Sequence, residues 1–391
     1  MRDFARWCVR EHLRTMLTAA AALNLLLLTF SLLAIDQAPS TLKDAFQGSF
    51  LIGAALNPAE FTESDARDAA IVKAQFDAIS PENVLKWESV HPEPDRYNFD
   101  LADKYVAFGE KNHMFIVGHT LVWHQQTPKW VFEDAQGNPL DRETLLKRMR
   151  EHIQTVVGRY KGRVNAWDVV NEALNDDGTL RQTQWLKFIG EDYIAKAFEF
   201  AHEADPKAEL QYNDYSLENE AKRNGATELI RRLRAQGVPV TGVGLQGHYK
   251  IDWPSVDQVD ATIGAFAKLG VKVMITELDV DVLPPAMPYR GADISANVEL
   301  QSKLNPYTDG LPDSVQQALA KRYADLFGLF LKHGAALTRV TFWGVTDAGS
   351  WLNNWPVRGR TSYPLLFDRE GRPKPAFYAV IKSARRASAA K

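Results

Sequence analysis

Two glutamates stand out for where they sit. Glu172 closes the run Asp168 to Asn171 in "DVVNEA", and Glu277 follows Ile275 and Thr276 in "ITELDV". Apolar runs of this kind pack in an interior, where a lone carboxylate is costly. The two acids lie about a hundred residues apart. Two carboxyl groups flanking a cleft are the minimum equipment for glycoside hydrolysis: one protonates the leaving oxygen, and the other attacks the anomeric carbon or activates water. That chemistry needs one group neutral and the other ionised, hence different surroundings. A pair of structural acids in salt bridges is the plain alternative. Two acids at matched strand ends, each after apolar residues, favour catalysis over it.

Other polar and aromatic groups gather at similar places. His119, Trp123 and Gln126 lie in "GHTLVWHQQTPKW", and Glu82, Asn83 and Lys86 in "SPENVLKWE". Tyr212 and Tyr215 lie in "YNDYS", Gln246 and His248 in "LQGHY", and Trp343 and Trp351 in "FWGVTDAGSW". Asn, Gln, His and Lys can hold ring hydroxyls, and Trp and Tyr offer flat apolar faces to the C–H side of a pyranose. Asn171 sits beside Glu172. Strict alternation would point these neighbours to opposite faces, so both reach a cleft only if the strand bulges or stops there.

Elements able to position these groups are visible as a repeated alternation. Eight short apolar runs read as strands: Phe50 to Leu56, Asp77 to Ser80, Met114 to Thr120, Val164 to Val170, Glu209 to Tyr215, Gly242 to His248, Val271 to Glu277 and Arg339 to Val345. Several are apolar on both faces, as strands of a covered parallel sheet must be. Segments between them carry helical spacing, as in Leu145, Met149, Ile153, Val156 and Tyr160, and in Val315, Leu319, Tyr323, Leu326 and Phe330. Gly237 and Gly334 read as glycine C-caps, and Ser64 and Ser314 as N-caps. Eight strand–helix units in about 350 residues predict an α/β fold, a single (β/α)8 TIM barrel over residues 41–391. A doubly wound open sheet would usually show a glycine-rich phosphate turn after an early strand, and "GAALNPAEF" is not one. In a barrel the chemistry collects at the C-terminal strand ends. By this count Glu172 ends strand four and Glu277 ends strand seven, facing each other across the mouth. An insertion rich in Pro, Gly and Asn runs from Asp281 to about Pro312.

Composition narrows the partners. The formal net charge of −3 gives no reason to expect nucleic acid or an anionic membrane surface. Cys8 is the one cysteine, so no intrachain disulfide or cysteine-based metal cluster can form, and no HExxH occurs. No metal or cofactor is expected. Residues 1–40 read as a signal peptide or an N-terminal membrane anchor: Arg2, Arg6, Arg10 and Arg14 precede the apolar stretch Met16 to Ile35. Both readings leave the arginines inside and export the rest, to a secreted or periplasmic location. Cleavage would also remove the only thiol, which suits an oxidising compartment.

At these residues the sequence resembles glycoside hydrolase family 10, the endo-β-1,4-xylanases. The likeness runs from about Phe50 to Ile381 and rests on "ENVLKWE", "GHTLVWHQQTPKW", "WDVVNEAL", "YNDYSLE", "GVGLQGHY", "ITELDV" and "FWGVTDAGSWL", all in family order. The resemblance implies Glu172 as acid/base and Glu277 as nucleophile, with retention through a covalent xylosyl-enzyme. It implies that Asn171 binds the 2-hydroxyl and that His248 orients Glu277. Glu82, Asn83, Lys86, His119 and Gln126 would bind sugars on the non-reducing side. Gln246, Trp123, Trp343 and Trp351 would shape the reacting subsite, and Tyr215 would line the leaving-group side. The implied partner is xylan or xylo-oligosaccharide; separately, a monomer is expected. Three rivals remain: a related endo-β-1,4-glucanase or mixed-specificity enzyme, a non-catalytic sugar-binding barrel, and a metal-dependent deacetylase or lyase. The second would normally have lost one acid, and the third lacks its ligand clusters.

Overall fold

Parallel strands that are apolar on both faces must be covered on both sides, and here they close on themselves. The computed structural model describes residues 41–286 and 292–389; residues 1–40, which hold the expected export or anchor segment, lie outside the described residues. Thr41 onward forms one unit. Its strands are β1 (Leu51–Leu56), β2 (Ala78–Pro81), β3 (Phe115–Val122), β4 (Ala166–Asn171), β5 (Glu209–Asp214), β6 (Gly242–Leu245), β7 (His248–Lys250), β8 (Lys272–Asp281) and β9 (Leu337–Phe342). Strands β1 to β6 pair in sequence order, β9 pairs with β1 and β8, and β6 pairs with β8 to shut the ring. The result is an eight-stave parallel barrel, with β7 as the continuation of the sixth stave.

That continuation corrects one expectation. The sixth stave breaks at Gln246 and Gly247, where Gly247 takes φ +83°, a left-handed conformation suited to glycine. It resumes as β7, whose His248, Tyr249 and Lys250 pair with Asp279, Val280 and Asp281. Strand β8 therefore does not end at Glu277: it runs ten residues, to Asp281, and Glu277 stands within it. The extra pairing partner supplied by β7 is the physical reason.

Helices wrap the barrel with their apolar stripes inward. In the helix Arg142–Arg159, Leu145, Met149, Ile153 and Val156 are buried, and Asp141 caps the first turn through the Thr144 N–H. In Asp313–Lys332, Leu319, Tyr323, Leu326 and Phe330 are buried, whereas Val315 is half-buried at the first turn. The cap expectations divide. Gly237 is left-handed (φ +79°) after the helix Glu220–Ala235. Gly334 is not, because the preceding helix ends through His333 (φ −100°). The helix Ala66–Gln75 is capped by Asp65 rather than Ser64, since the Asp65 carboxylate reaches two orphan N–H groups, of Arg67 and Asp68. Pro312 occupies the N-cap position that Ser314 was expected to fill.

Tight packing under the site depends on Gly118 in β3. A Cβ at this position would overlap the ring of Trp167, which is fully buried on β4. We predict that Gly118→Ala lowers stability by about 1–3 kcal/mol, read as a lower urea midpoint with an unchanged m-value.

Candidate active site

The backbone that carries Glu172 is unusual. The β4–β5 register slips between Asp168 and Val170, β4 stops at Asn171, and Glu172 itself takes φ +56°. A left-handed non-glycine residue is strained and is characteristic of functional sites. The slip and the turn resolve the alternation problem, because both Asn171 and Glu172 reach the same pocket. The strained residue is held on both sides: its N–H donates to the Asn213 carbonyl at 2.9 Å, and its carbonyl accepts from Arg181 Nε at 3.2 Å.

The Glu172 carboxyl is buried. Its Oε2 accepts from Trp123 Nε1 at 2.9 Å, and its Oε1 from Gln246 Nε2 at 2.9 Å and Asn171 Nδ2 at 3.3 Å. Burial foremost, then the charges of Asp214 and Glu277, push its pKa up to about 7, against the pull of Gln246 and Trp123. At neutral pH a large share of this group carries a proton.

Glu277 has the opposite setting. Its Oε1 accepts from Asn213 Nδ2 at 2.8 Å, and its Oε2 from His248 Nε2 at 3.1 Å. His248 Nδ1 in turn donates to Asp279 Oδ2 at 3.0 Å, an oxygen that also accepts from Trp351 Nε1 at 2.7 Å. Burial alone would pull His248 down, but Asp279 and Glu277 outweigh it and raise its pKa to about 10. The ring is thus an imidazolium near neutrality and donates from both nitrogens. For Glu277, burial pushes upward, yet the His248 hydrogen bond, nearby histidine charge and Asn213 prevail and hold its pKa below the usual carboxylate range.

Side-chain amides link the two acids. Asn213 Nδ2, bonded to Glu277, also donates to Asn171 Oδ1 at 2.8 Å, and Asn213 Oδ1 accepts from Thr276 Oγ1 at 2.6 Å. One pocket is lined by both glutamates together with Glu82, Asn83, Lys86, His119, Trp123, Gln126, Asn171, Gln246, His248, Trp343 and Trp351. Tyr215 lies outside this lining, its ring buried and its hydroxyl accepting from Arg181 Nη2 at 2.8 Å. Lys86 is buried; its Nζ donates to Gln126 Oε1 at 2.8 Å and Asn83 Oδ1 at 3.0 Å and stands 5.1 Å from the Trp123 ring centre. Trp351 stacks on Trp355 at 4.4 Å, and Trp343 meets His119 edge-on at 5.4 Å.

Some functional residues escaped the sequence reading. Asp279 lies two residues after Glu277 on one strand, so alternation places both on one face; that signal was present. Asp168, which accepts from His119 Nδ1 at 2.9 Å, is paired to it only by the β3–β4 register. Asn213 lies inside "YNDYS", hidden by its tyrosine neighbours. Ala292 and Ile294, from the loop after β8, complete the pocket wall, a part no sequence feature assigned.

With the geometry in place, kinship follows. The model of glycosyl hydrolase family 10 matches residues 41–383. The chain belongs to glycosyl hydrolase family 10. It is 44% identical over 360 residues to the endo-1,4-beta-xylanase A of Xylanibacter ruminicola, covering 92% of this chain and 97% of that relative. Among solved structures, an endoxylanase of the family from a sugarcane soil metagenome superposes with a TM-score of 0.84 at 46% identity, covering 88% of this chain and 100% of that one. A mutant structure in complex with xylotriose superposes with a TM-score of 0.79 at 37% identity, covering 88% of this chain and 99% of that one.

The His248–Asp279 pair generates a prediction. Asp279→Asn removes the main charge that keeps His248 protonated, so Glu277 loses its cationic partner and its pKa rises. The acid limb of the kcat/KM profile should move toward neutrality, with the alkaline limb in place. An unmoved acid limb would show that Asp279 does not act through His248.

Proposed function

We propose that this chain is an endo-β-1,4-xylanase that hydrolyses xylan with net retention. The observation that carries this reading is a single pocket holding two buried glutamates with opposed protonation, one raised to about 7 and one held low. Family membership supports the same reaction class. Neutral Glu172 gives its proton to the glycosidic oxygen while Glu277 attacks the anomeric carbon and forms the xylosyl-enzyme. The ionised Glu172 then takes a proton from water, which attacks the same carbon and frees Glu277. No step needs a metal or cofactor.

Sugar-binding roles follow from the lining. Lys86 bonds Asn83 and Gln126, and with Glu82 they line the pocket; these polar groups are assigned to the non-reducing-side sugars. Asn171 sits next to the acid and suits the 2-hydroxyl. Trp343 and Trp351 line the same pocket and are assigned to the wall of the reacting subsite, where their rings would crowd the hydroxymethyl group of a hexose. This crowding favours xylan over cellulose and argues against the glucanase rival. Tyr215 is assigned to the leaving-group side. The barrel is proposed to act as a monomer, exported to a secreted or periplasmic location by residues 1–40. Mass spectrometry of the mature N-terminus distinguishes cleaved signal from retained anchor.

Comparing initial rates on xylan and on carboxymethylcellulose tests the substrate assignment: xylan should be faster by more than about tenfold, and equal rates would contradict it. The protonation states predict a bell-shaped kcat/KM. Glu277 must be ionised, so the acid limb lies below the usual carboxylate range. Glu172 must be protonated, so activity falls as pH rises through about 7. Glu277→Gln should abolish turnover in a folded chain. Glu172→Gln should impair xylan far more than aryl xylosides with good leaving groups, and equal loss on both would remove the acid role.

A further inference from the structure

Behind Glu172 lies a layer of buried charge that the steps above do not use. The β4–β5 register pairs Asn171 with Asn213, so the residues that follow, Glu172 and Asp214, top adjacent staves. Asp214 is fully buried. Its Oδ1 accepts from the Tyr215 N–H at 2.9 Å, and its Oδ2 from the Tyr212 hydroxyl at 2.5 Å. Lys222, at the start of the helix Glu220–Ala235, is also fully buried. Its Nζ stands 2.9 Å from Asp214 Oδ1 as an ion pair rather than an aligned hydrogen bond, and 3.7 Å from the Tyr215 ring centre. Holding two charges fully out of water is weak evidence of a role in stability, because well-packed apolar residues often serve as well.

We propose that Asp214 and Lys222 form a charge couple that positions the proton of Glu172: Asp214 favours the neutral acid, and Lys222 limits how strongly it does so. This rests on Glu172 being the acid/base. The surrounding groups fit the assignment. Of the two acidic neighbours that raise Glu172, Asp214 is the stronger influence and Glu277 the weaker, while Lys86 and Arg181 are the cations that interact with it. Gln246, Trp123 and Asn171 bond the carboxyl itself, whereas Arg181 donates to the backbone carbonyls of Glu172 and Leu174 and to the Tyr215 hydroxyl. Around the couple stand Tyr193 and Tyr212, both buried, Arg181, and Asp176 at 3.6 Å from Lys222 Nζ. Lys222 is therefore the cation ion-paired with Asp214, and a pair outside the substrate pocket adjusts a proton affinity that burial raises first. Both are positioning residues.

The test is the pH profile of kcat/KM on xylan for the full chain, for Asp214→Asn and for the double variant Asp214→Asn/Lys222→Met, with folding checked by thermal unfolding. The alkaline limb should move down by about one pH unit in Asp214→Asn, while the acid limb, set by Glu277, stays. The double variant removes both charges at similar volume. Because it also removes the cation that opposes Asp214, its alkaline limb should move down by less than that of Asp214→Asn, and this smaller shift carries the test if the single variant fails to fold. Folded variants with an alkaline limb superimposed on that of the unmodified chain would overturn the proposal. Glu172→Gln, assayed on an activated aryl xyloside, separates the two ways of failing. Loss of the alkaline limb there upholds Glu172 as its source. Persistence of the limb there would overturn the acid/base reading and the proposal with it.

Discussion

Two carboxyl groups in one small, buried pocket cannot both be ionised without cost, and the structure resolves that conflict asymmetrically. Glu277 is given a cation: His248, kept charged by Asp279 and backed by Trp351. Glu172 receives only neutral donors, from Trp123, Gln246 and Asn171, with an anion behind it. The same degree of burial thus yields opposite outcomes, because a hydrogen-bonded cation offsets desolvation and neutral amides do not offset it fully. Everything else in the site holds this asymmetry in place.

The barrel provides the rigidity that the asymmetry needs. Closed parallel pairing fixes the staves, and local departures from ideal strands aim the side chains. The register slip in β4 and the left-handed Glu172 bring two consecutive residues onto one pocket. The kink at Gly247 turns the sixth stave so that His248 meets both Glu277 and Asp279. Asn213 then ties the acid's neighbour to the nucleophile with one amide. Irregularity is concentrated where chemistry requires a direction that a regular strand cannot give.

Much of this was legible in the sequence, for identifiable reasons. Staves apolar on both faces, each followed by a helical stripe, are local patterns, and they gave the barrel and the neighbourhood of each acid. Glu172, Lys86, Gln126, Trp351 and the other lining residues apart from Ala292 and Ile294 sit in short motifs next to those staves. What was not legible depends on partners distant in the chain. That Glu277 lies inside β8 rather than at its end follows from β7, which exists only because of the kink before it. Asp168 becomes a partner of His119 only through register, and Lys222 meets Asp214 only once a helix docks. The caps at Asp65 and Pro312, in place of Ser64 and Ser314, turn on a shift of one or two residues that propensity does not resolve. Ala292 and Ile294 reach the pocket from a loop with no periodicity to read.

The central claim is that Glu172 and Glu277 act on opposite faces of one sugar through a covalent intermediate. Anomer-resolved analysis of the first products released from xylan tests it most directly. The account predicts xylo-oligosaccharides of several lengths whose new reducing ends appear as the β-anomer before they mutarotate. Fresh α-anomer, or xylose alone released from chain ends, would contradict it.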